Sequence, residues 1–193
     1  MQRTYLLAGR PQPGEREPAP GALALVQDLV NTVDREHGPD LLADAGGLRE
    51  WLALRGLGAE RVTAADLRRA RELREALRGL LLANNGRQEP TGARAVLEAA
   101  AARAGLTVRL PPQGPALMPV TSGVDGALGR VVAAAVVAMW DGSWRRLKAC
   151  PREACHWAFY DRSSNASATW CSMSICGSRT KARAYYRRKR SAD

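Results

Sequence analysis

The chain has 193 residues, 46% of them hydrophobic, and a formal net charge of +10 at neutral pH. This length allows one domain of ordinary size, or one domain with a small appendage. The longest apolar run, residues 131–140, is about half of the ~20 residues that a membrane-spanning helix needs, and residues 1–10 contain no secretory signal core. We therefore expect a cytoplasmic protein with no membrane partner, in a reducing compartment where disulfides are rare.

Most of the positive charge lies in the last quarter of the sequence. Residues 1–144 contain 17 Lys and Arg against 16 Asp and Glu, whereas residues 145–193 contain 12 against 3. Such a step in charge indicates two units with different partners, of which the basic one binds a polyanion. We divide the chain into a mobile Pro-rich leader (1–21), a helical domain (22–144) and a basic C-terminal unit (145–193).

The first part of the helical domain is predicted from apolar spacing and helix-end signals. A first helix begins at Leu25, because apolar residues recur there at i, i+3, i+4 and i+7 as far as Val33. A short second helix spans residues 48–54. Thr63 and Asp66 resemble a capping box, which predicts the start of a long third helix.

The second part combines helices with one hairpin. A fourth helix spans residues 92–104 and ends at Gly105. Residues 106–120 contain two short strand patterns around a Pro/Gly turn, which predicts a β-hairpin. The helix over residues 124–140 has almost no polar face and therefore belongs at the centre of the core. We expect an α+β fold that is mainly helical, with one small hairpin.

The four cysteines of the chain all lie in the basic unit, in a C-x4-C-x15-C-x4-C pattern formed by Cys150, Cys155, Cys171 and Cys176. Two close pairs separated by a hairpin-length insert meet the needs of a tetrahedral site, and Zn²⁺ with four thiolates is the usual closed structural site. We predict one structural zinc ion, with an iron–sulfur cluster or two disulfides as the alternatives. His156, next to Cys155, is expected to pack beside the site.

The aromatic residues of the basic unit have two interpretations. Trp157, Phe159 and Tyr160 lie in a predicted strand, and Trp170 lies across the same hairpin. Aromatic side chains on a sheet can stack on the bases of single-stranded RNA. In so small a unit they are expected to form its core instead.

A run of seven basic residues in thirteen follows Gly177. In a helix, one stripe within about 80° contains Arg179, Arg183, Arg187 and Arg190. A helix of this kind, anchored by a metal, fits a major groove, where Arg contacts guanine edges and other charges hold phosphates. The predicted nucleic-acid-binding residues are Arg179, Lys181, Arg183, Tyr186, Arg187, Arg188, Lys189 and Arg190. A solubilising tail that attracts any polyanion is the alternative.

Residues 147–190 read LKACPREACHWAFYDRSSNASATWCSMSICGSRTKARAYYRRKR and resemble the CGNR zinc finger of bacterial proteins. Those proteins carry an N-terminal domain called ABATE and are described as stress-induced transcriptional regulators. The segment LALVQDLVNT (residues 23–32) resembles the opening of that domain. The resemblance implies a treble-clef-like zinc finger with four cysteine ligands that ends in a basic helix, duplex DNA as the partner, and a helical domain that senses a small-molecule effector or forms a homodimer.

The chain departs from the family pattern at three positions. Ser178 stands where the family has the asparagine of CGNR, and serine can still cap the following helix. Ala168 and Thr169 stand where relatives commonly have basic residues before the WC pair. If those residues contact phosphate in relatives, this protein relies more on its basic helix.

The helical domain contains no catalytic constellation, so we predict a protein that is not an enzyme. Asn31, Thr32 and Arg35 are polar groups beside an apolar stripe, and they are candidates for a ligand pocket or for a self-satisfied helix end. We therefore interpret the chain as a nucleoid-associated, DNA-binding transcription regulator. The alternatives are an RNA-binding or ribosome-associated zinc module, and an enzyme in residues 23–140 with the finger as a targeting element.

Overall fold

The computed structural model describes residue 13, residues 16–36 and residues 38–190, although the side chains of Ala184 and Tyr186 lie outside this description. This part of the chain contains six α-helices and four short strands. The helices are α1 (Leu23–Val30), α2 (Ala45–Leu54), α3 (Ala64–Ala83), α4 (Ala93–Ala104), α5 (Gly123–Trp140) and α6 (Ser178–Arg190). The strands are β1 (Thr107–Arg109), β2 (Ala116–Met118), β3 (Leu147–Ala149) and β4 (Ala158–Tyr160).

Capping side chains set the first residues of α2 and α3. The predicted capping box is confirmed, because Thr63 Oγ1 accepts from the Asp66 N–H at 3.2 Å and Asp66 Oδ2 accepts from the Thr63 N–H at 2.7 Å. At α2, Asp44 Oδ1 accepts a hydrogen bond of 2.9 Å from the Gly47 N–H. This cap explains why α2 begins three residues before the predicted start, since apolar spacing alone does not report a capping aspartate.

Helix α1 ends earlier than the apolar spacing predicts. Val33 lies outside the helix, in an isolated β-bridge with Asp40. The Thr32 hydroxyl donates back to the Leu29 carbonyl at 2.8 Å, and short polar side chains of this kind favour helix ends over helix interiors. The chain therefore leaves α1 just after Val30.

Helix α5 is the central helix of the core, as predicted. It packs against α1 and α4, and Val131 and Ala135 are completely buried. A Cβ atom at Gly129 would lie 2.4 Å from the Cβ of Ala104, so glycine permits the close approach of α4. Helix α5 is also long and apolar enough to span a membrane, but 61% of it is buried inside the protein, as is usual for a core helix.

Two antiparallel hairpins complete the α+β fold. The predicted hairpin is confirmed as β1 and β2, with Thr107 opposite Met118. The second hairpin lies in the C-terminal unit and consists of β3 and β4, with Leu147 opposite Tyr160 and Lys148 opposite Phe159. Because side chains alternate along a strand, the two faces of this second hairpin contact different surroundings.

One face of the β3–β4 hairpin belongs to the core of the helical domain. The residues on this face are fully or nearly fully buried in the same apolar cluster as the helices: Leu147, Ala149, Ala158 and Tyr160. The opposite face carries Phe159 into the smaller cluster around the cysteines. The C-terminal unit therefore shares a core with the helices.

Amide side chains of the helical domain, two of them buried and two half-buried, bind the backbone of the same hairpin. Asn31 donates to the Ala158 carbonyl at 2.9 Å and accepts from the Ala158 N–H at 2.8 Å, while Gln27 donates to the same carbonyl at 3.0 Å. At the end of α3, Asn84 and Asn85 each donate to a carbonyl of β3 at 2.9 Å. These paired backbone groups align the two parts of the protein.

The described end of the leader runs along the C-terminal unit. Arg16 Nε donates to the Cys171 carbonyl at 2.7 Å, and Arg162 donates to the Pro18 carbonyl at 2.9 Å. Most of the leader that the sequence predicts to be mobile lies outside the described residues. The part nearest α1 connects the helical domain to the second cysteine pair.

We expect Asn31→Ala to lower the free energy of unfolding by about 1–3 kcal/mol, because it leaves the buried Ala158 N–H without its acceptor. Denaturant titration measures this difference. The control is Asn165→Ala at an exposed position, which should stay within about 0.5 kcal/mol of the parent protein. Equal stabilities of the two variants would contradict the role of Asn31.

Candidate metal centre and basic helix

The first cysteine pair lies in the turn that joins β3 to β4. The Cys150 N–H donates to the Trp157 carbonyl at 2.9 Å, which extends the strand pairing beyond β3. The Cys155 N–H donates to the Arg152 carbonyl at 2.8 Å and closes a tight turn between the two cysteines. The five-residue step from Cys150 to Cys155 thus brings both thiols to one side of the turn.

The second pair lies at the start of the helical segment that continues into α6. Ser172 Oγ accepts from the Ile175 N–H at 3.3 Å and caps a π-helical turn, Met173–Gly177. The Cys176 N–H donates to the Ser172 carbonyl at 2.9 Å. A Cβ atom at Gly177 would lie 2.4 Å from Met173 Sδ and 3.1 Å from Trp170 Cδ1, so glycine permits the close approach of these two side chains to the turn.

The four cysteine sulfurs converge on one point. The Sγ atoms of Cys150, Cys155, Cys171 and Cys176 all lie within 4.8 Å of one another. Cys171 Sγ is 3.6 Å from Cys155 Sγ and 3.5 Å from Cys176 Sγ. A tetrahedron with Zn–S bonds of ~2.3 Å has S···S edges of about 3.8 Å, whereas a disulfide bond is ~2.05 Å long. The cysteines fit one zinc ion, and all four are free thiols.

The pKa shifts of two of the four cysteines also indicate a cation site. Hydrogen bonds from Cys155 and Cys171 lower the pKa of the Cys150 thiol to about 4. The same hydrogen bond with Cys150 raises the pKa of Cys171, because neighbouring thiols cannot all ionise without a counterion. A bound Zn²⁺ supplies that counterion and keeps all four sulfurs as thiolates.

The aromatic residues mostly form a small core around the metal centre, as predicted. Trp157 and Phe159 are buried with the cysteines, and Trp170 packs against the same cluster, whereas Tyr160 belongs to the core of the helical domain. The Arg16 guanidinium lies over the Phe159 ring, 5.0 Å from its centroid. This cation–π contact was not predictable from the composition of the leader.

A buried ion pair holds the loop between β4 and the second cysteine pair. Lys148 Nζ donates to Asp161 Oδ2 at 2.9 Å and to the Ala168 carbonyl at 3.1 Å, and Asp161 accepts from the Ala168 N–H at 2.8 Å. Burial raises the pKa of Asp161, but the hydrogen bonds from Lys148 and Ser163 outweigh it and lower the pKa to about 2. The carboxylate therefore stays charged and fixes the path of this loop.

A carboxylate of the helical domain connects the metal centre to α6. Arg152 Nε donates to Cys176 Sγ at 3.3 Å, and its Nη2 donates to Glu36. The other oxygen of Glu36 accepts from Arg179 Nη1 at 2.5 Å. Glu36 is 20% exposed and Arg179 is 50% exposed, so this bridge lies at the surface, where the first turn of α6 meets the helical domain.

The three residues predicted as candidates for a ligand pocket contact other parts of the protein. Asn31 binds the backbone of Ala158, and the nearly buried Thr32 hydroxyl accepts from Arg74 at 3.2 Å. Arg35 Nη1 lies 2.6 Å from His156 Nδ1. Asn31 and Arg35 thereby connect the helical domain to the C-terminal unit, and a ligand role for the three stays a prediction.

Helix α6 presents its basic residues to solvent. Its seven basic side chains are all exposed, and the helix contains no acidic residue: Arg179, Lys181, Arg183, Arg187, Arg188, Lys189 and Arg190. The side chain of Tyr186, predicted beside them, lies outside the described residues. Ser178 does not cap α6 as expected, because it lies inside a continuous helical segment whose cap is Ser172.

Two family models match the chain, and together they cover most of the described residues. The CGNR zinc finger matches residues 146–189, and ABATE, with the description "Putative stress-induced transcription regulator", matches residues 23–143. The chain belongs to the ABATE family. No curated protein matches it. The four cysteines lie within the CGNR match, and α1 to α5 lie within the ABATE match.

We expect Cys171→Ser to remove the single zinc equivalent from the CGNR finger and to unfold α6, because three thiolates leave the tetrahedral site open. Elemental analysis measures the zinc, and circular dichroism measures the lost helix. Thr169→Ala, an exposed change two residues away, should retain one zinc per chain. A Cys171→Ser variant that still holds one zinc would contradict the four-cysteine ligand set.

Proposed function

We propose that this ABATE-family protein is a cytosolic, zinc-dependent transcription regulator that binds duplex DNA through α6 and has no catalytic activity. The observation that carries the proposal is a helix with seven exposed basic residues and no acidic one, which begins at a closed four-thiolate site. Zinc supplies structural order, since four thiolates leave no open position for chemistry on a substrate. A tail needed only for solubility does not require a metal to orient it.

The dimensions of α6 support insertion into a major groove. Thirteen residues form a helix of about 20 Å, and the major groove of B-DNA is ~12 Å wide. The stripe that begins at Arg179 and continues through Arg183 and Arg187 would face the base edges. The remaining basic residues, on the other sides of the helix, would hold phosphates on the flanking strands.

The ABATE domain is proposed to sense an effector and to change the occupancy of DNA by α6. The shared core, the amide contacts of Asn31 and the Glu36 bridge support this role, because each connects the domain to the finger. A homodimer would let two fingers bind two half-sites, which raises affinity without new contacts. The burial of Trp157 and Phe159 argues against a base-stacking platform for single-stranded RNA.

We expect the double variant Lys181→Ala/Arg188→Ala to weaken duplex binding and to reduce the slope of log K against log salt by about 1.8, since each phosphate contact contributes about 0.9. Fluorescence anisotropy over a salt series, with duplex DNA and structured RNA of equal length, measures both quantities. Arg103→Ala on α4 removes an exposed arginine outside the finger and should change neither. Equal affinity for every sequence and for both polymers would contradict a specific DNA regulator.

We expect Glu36→Gln to strengthen duplex binding about three-fold at low salt, because Arg179 loses a carboxylate partner that competes with phosphate. The matched control is Glu153→Gln, which removes one exposed negative charge from the finger near Arg152. In an Arg179→Ala background the effect of Glu36→Gln should disappear. Weaker binding by Glu36→Gln would mean that the bridge orients α6 rather than competes with DNA.

A further inference from the structure

An apolar groove runs along α5 on the side of the ABATE domain where the chain passes to the finger. Its volume is about 640 Å³, which lies within the range of ~300–1,000 Å³ for sites that hold small molecules. Alanines of α5 form the floor, and larger apolar side chains from α1 and β2 form the walls: Ala133, Ala134, Ala138, Leu25, Leu117 and Met118. We call this feature the α5–β2 groove.

We propose that the α5–β2 groove is the effector site of the regulator, and that it takes an apolar molecule with one carboxylate. This inference rests on the proposed function, because the role of the groove as an effector site assumes that the protein is a regulator. The groove differs from the site that the sequence suggests, since Asn31, Thr32 and Arg35 contribute nothing to its lining.

The groove has a positively charged side chain, Arg130, at one end and a negatively charged one, Asp141, at the other, so the anionic group of a ligand is expected at the Arg130 end. Arg130 is exposed, lines the groove and has no hydrogen bond or ion pair with any described residue. Asp141 follows the last residue of α5, eleven positions after Arg130 and at a distance of about 16 Å. Asp141 accepts from the Ser143 N–H at 2.8 Å, and the hydrogen bonds from Ser143 lower its pKa. The carboxylate of the ligand is therefore expected beside Arg130, and its apolar part is expected to lie over the alanines of α5.

Both segments that connect the ABATE domain to the finger line this groove. Residues 20–23 form one wall, and they continue from the leader segment in which Arg16 donates to the Cys171 carbonyl. Asp141 and Ser143 form the other end, and the chain passes from Ser143 through one helical turn into β3. A molecule that fills the groove thus contacts both connections and favours one arrangement of the finger.

Decanoate, used below its micelle concentration, is the test ligand, with decanol and decylamine of equal chain length for comparison. We expect decanoate to shift amide resonances of β2 and α5 in ¹H–¹⁵N spectra of the zinc-loaded full chain. Arg130→Gln should weaken decanoate binding at least ten-fold and leave decanol binding unchanged. The matched control, Arg103→Gln, removes an exposed arginine of α4 and should change neither.

A second variant fills the groove without entering the core. Val137 is 43% exposed and lines the groove, so Val137→Trp should block decanoate while the protein stays folded. Val108→Trp adds the same volume at a 59% exposed position of β1 and should bind decanoate normally. Decanoate should also change the duplex-DNA affinity of the parent protein and of Val108→Trp, but not of Val137→Trp.

Three results would overturn the proposal: no decanoate binding, equal binding of decanoate and decanol, or resonance shifts that map outside the groove. A dimer in sedimentation, with groove amides protected before any ligand is added, would assign the groove to a second copy of the chain. DNA binding is measured separately without decanoate. If it persists while decanoate fails to bind, the effector site is wrong and the proposed regulator stands.

Discussion

The C-terminal unit depends on one constraint, which is the convergence of four thiols within 4.8 Å. At this distance an ionised thiol disfavours the ionisation of its neighbours, so the pKa of Cys150 is lowered while the pKa of Cys171 is raised. A bound cation would allow all four thiols to ionise, and Zn²⁺ is the cation whose preferred ligands and geometry match this site. The free energy of metal binding is therefore part of the free energy of folding for the finger.

The finger is held by different forces at its two ends. One face of the β3–β4 hairpin lies in the core of the ABATE domain, and the amide side chains of Asn31 and Asn85 bind its backbone. Helix α6 instead begins directly after the second cysteine pair, and the Arg179–Glu36 ion pair connects its first turn to the domain. The ABATE domain thus fixes where the metal lies, and the metal fixes the direction of α6. Loss of zinc would release the helix while the hairpin stays in the core.

Local patterns predicted most of the elements and the clustering of the four cysteines, but long-range pairings could not be predicted from them. Cysteine spacing was sufficient for the metal site because a tetrahedral ion constrains the spacing itself. The near-absence of a polar face was sufficient for α5 because most of that helix is buried. The Asn31–Ala158 contact joins residues that are 127 positions apart, and nothing in the sequence of either segment indicates that the two are paired. Asn31 was consequently considered for a ligand pocket, although its side chain binds a strand.

The departures from the family pattern leave the finger intact for reasons visible in its hydrogen bonds. Ala168 packs against the finger core and is held by its backbone through Lys148 and Asp161, while the Thr169 carbonyl accepts from Asn85 at 2.7 Å. These hydrogen bonds use the backbone of Ala168 and Thr169, so they do not depend on which side chains these two positions carry. Ser178 likewise lies within a helix that Ser172 caps. The contacts with DNA that we propose are therefore concentrated on α6, whose direction follows from the metal.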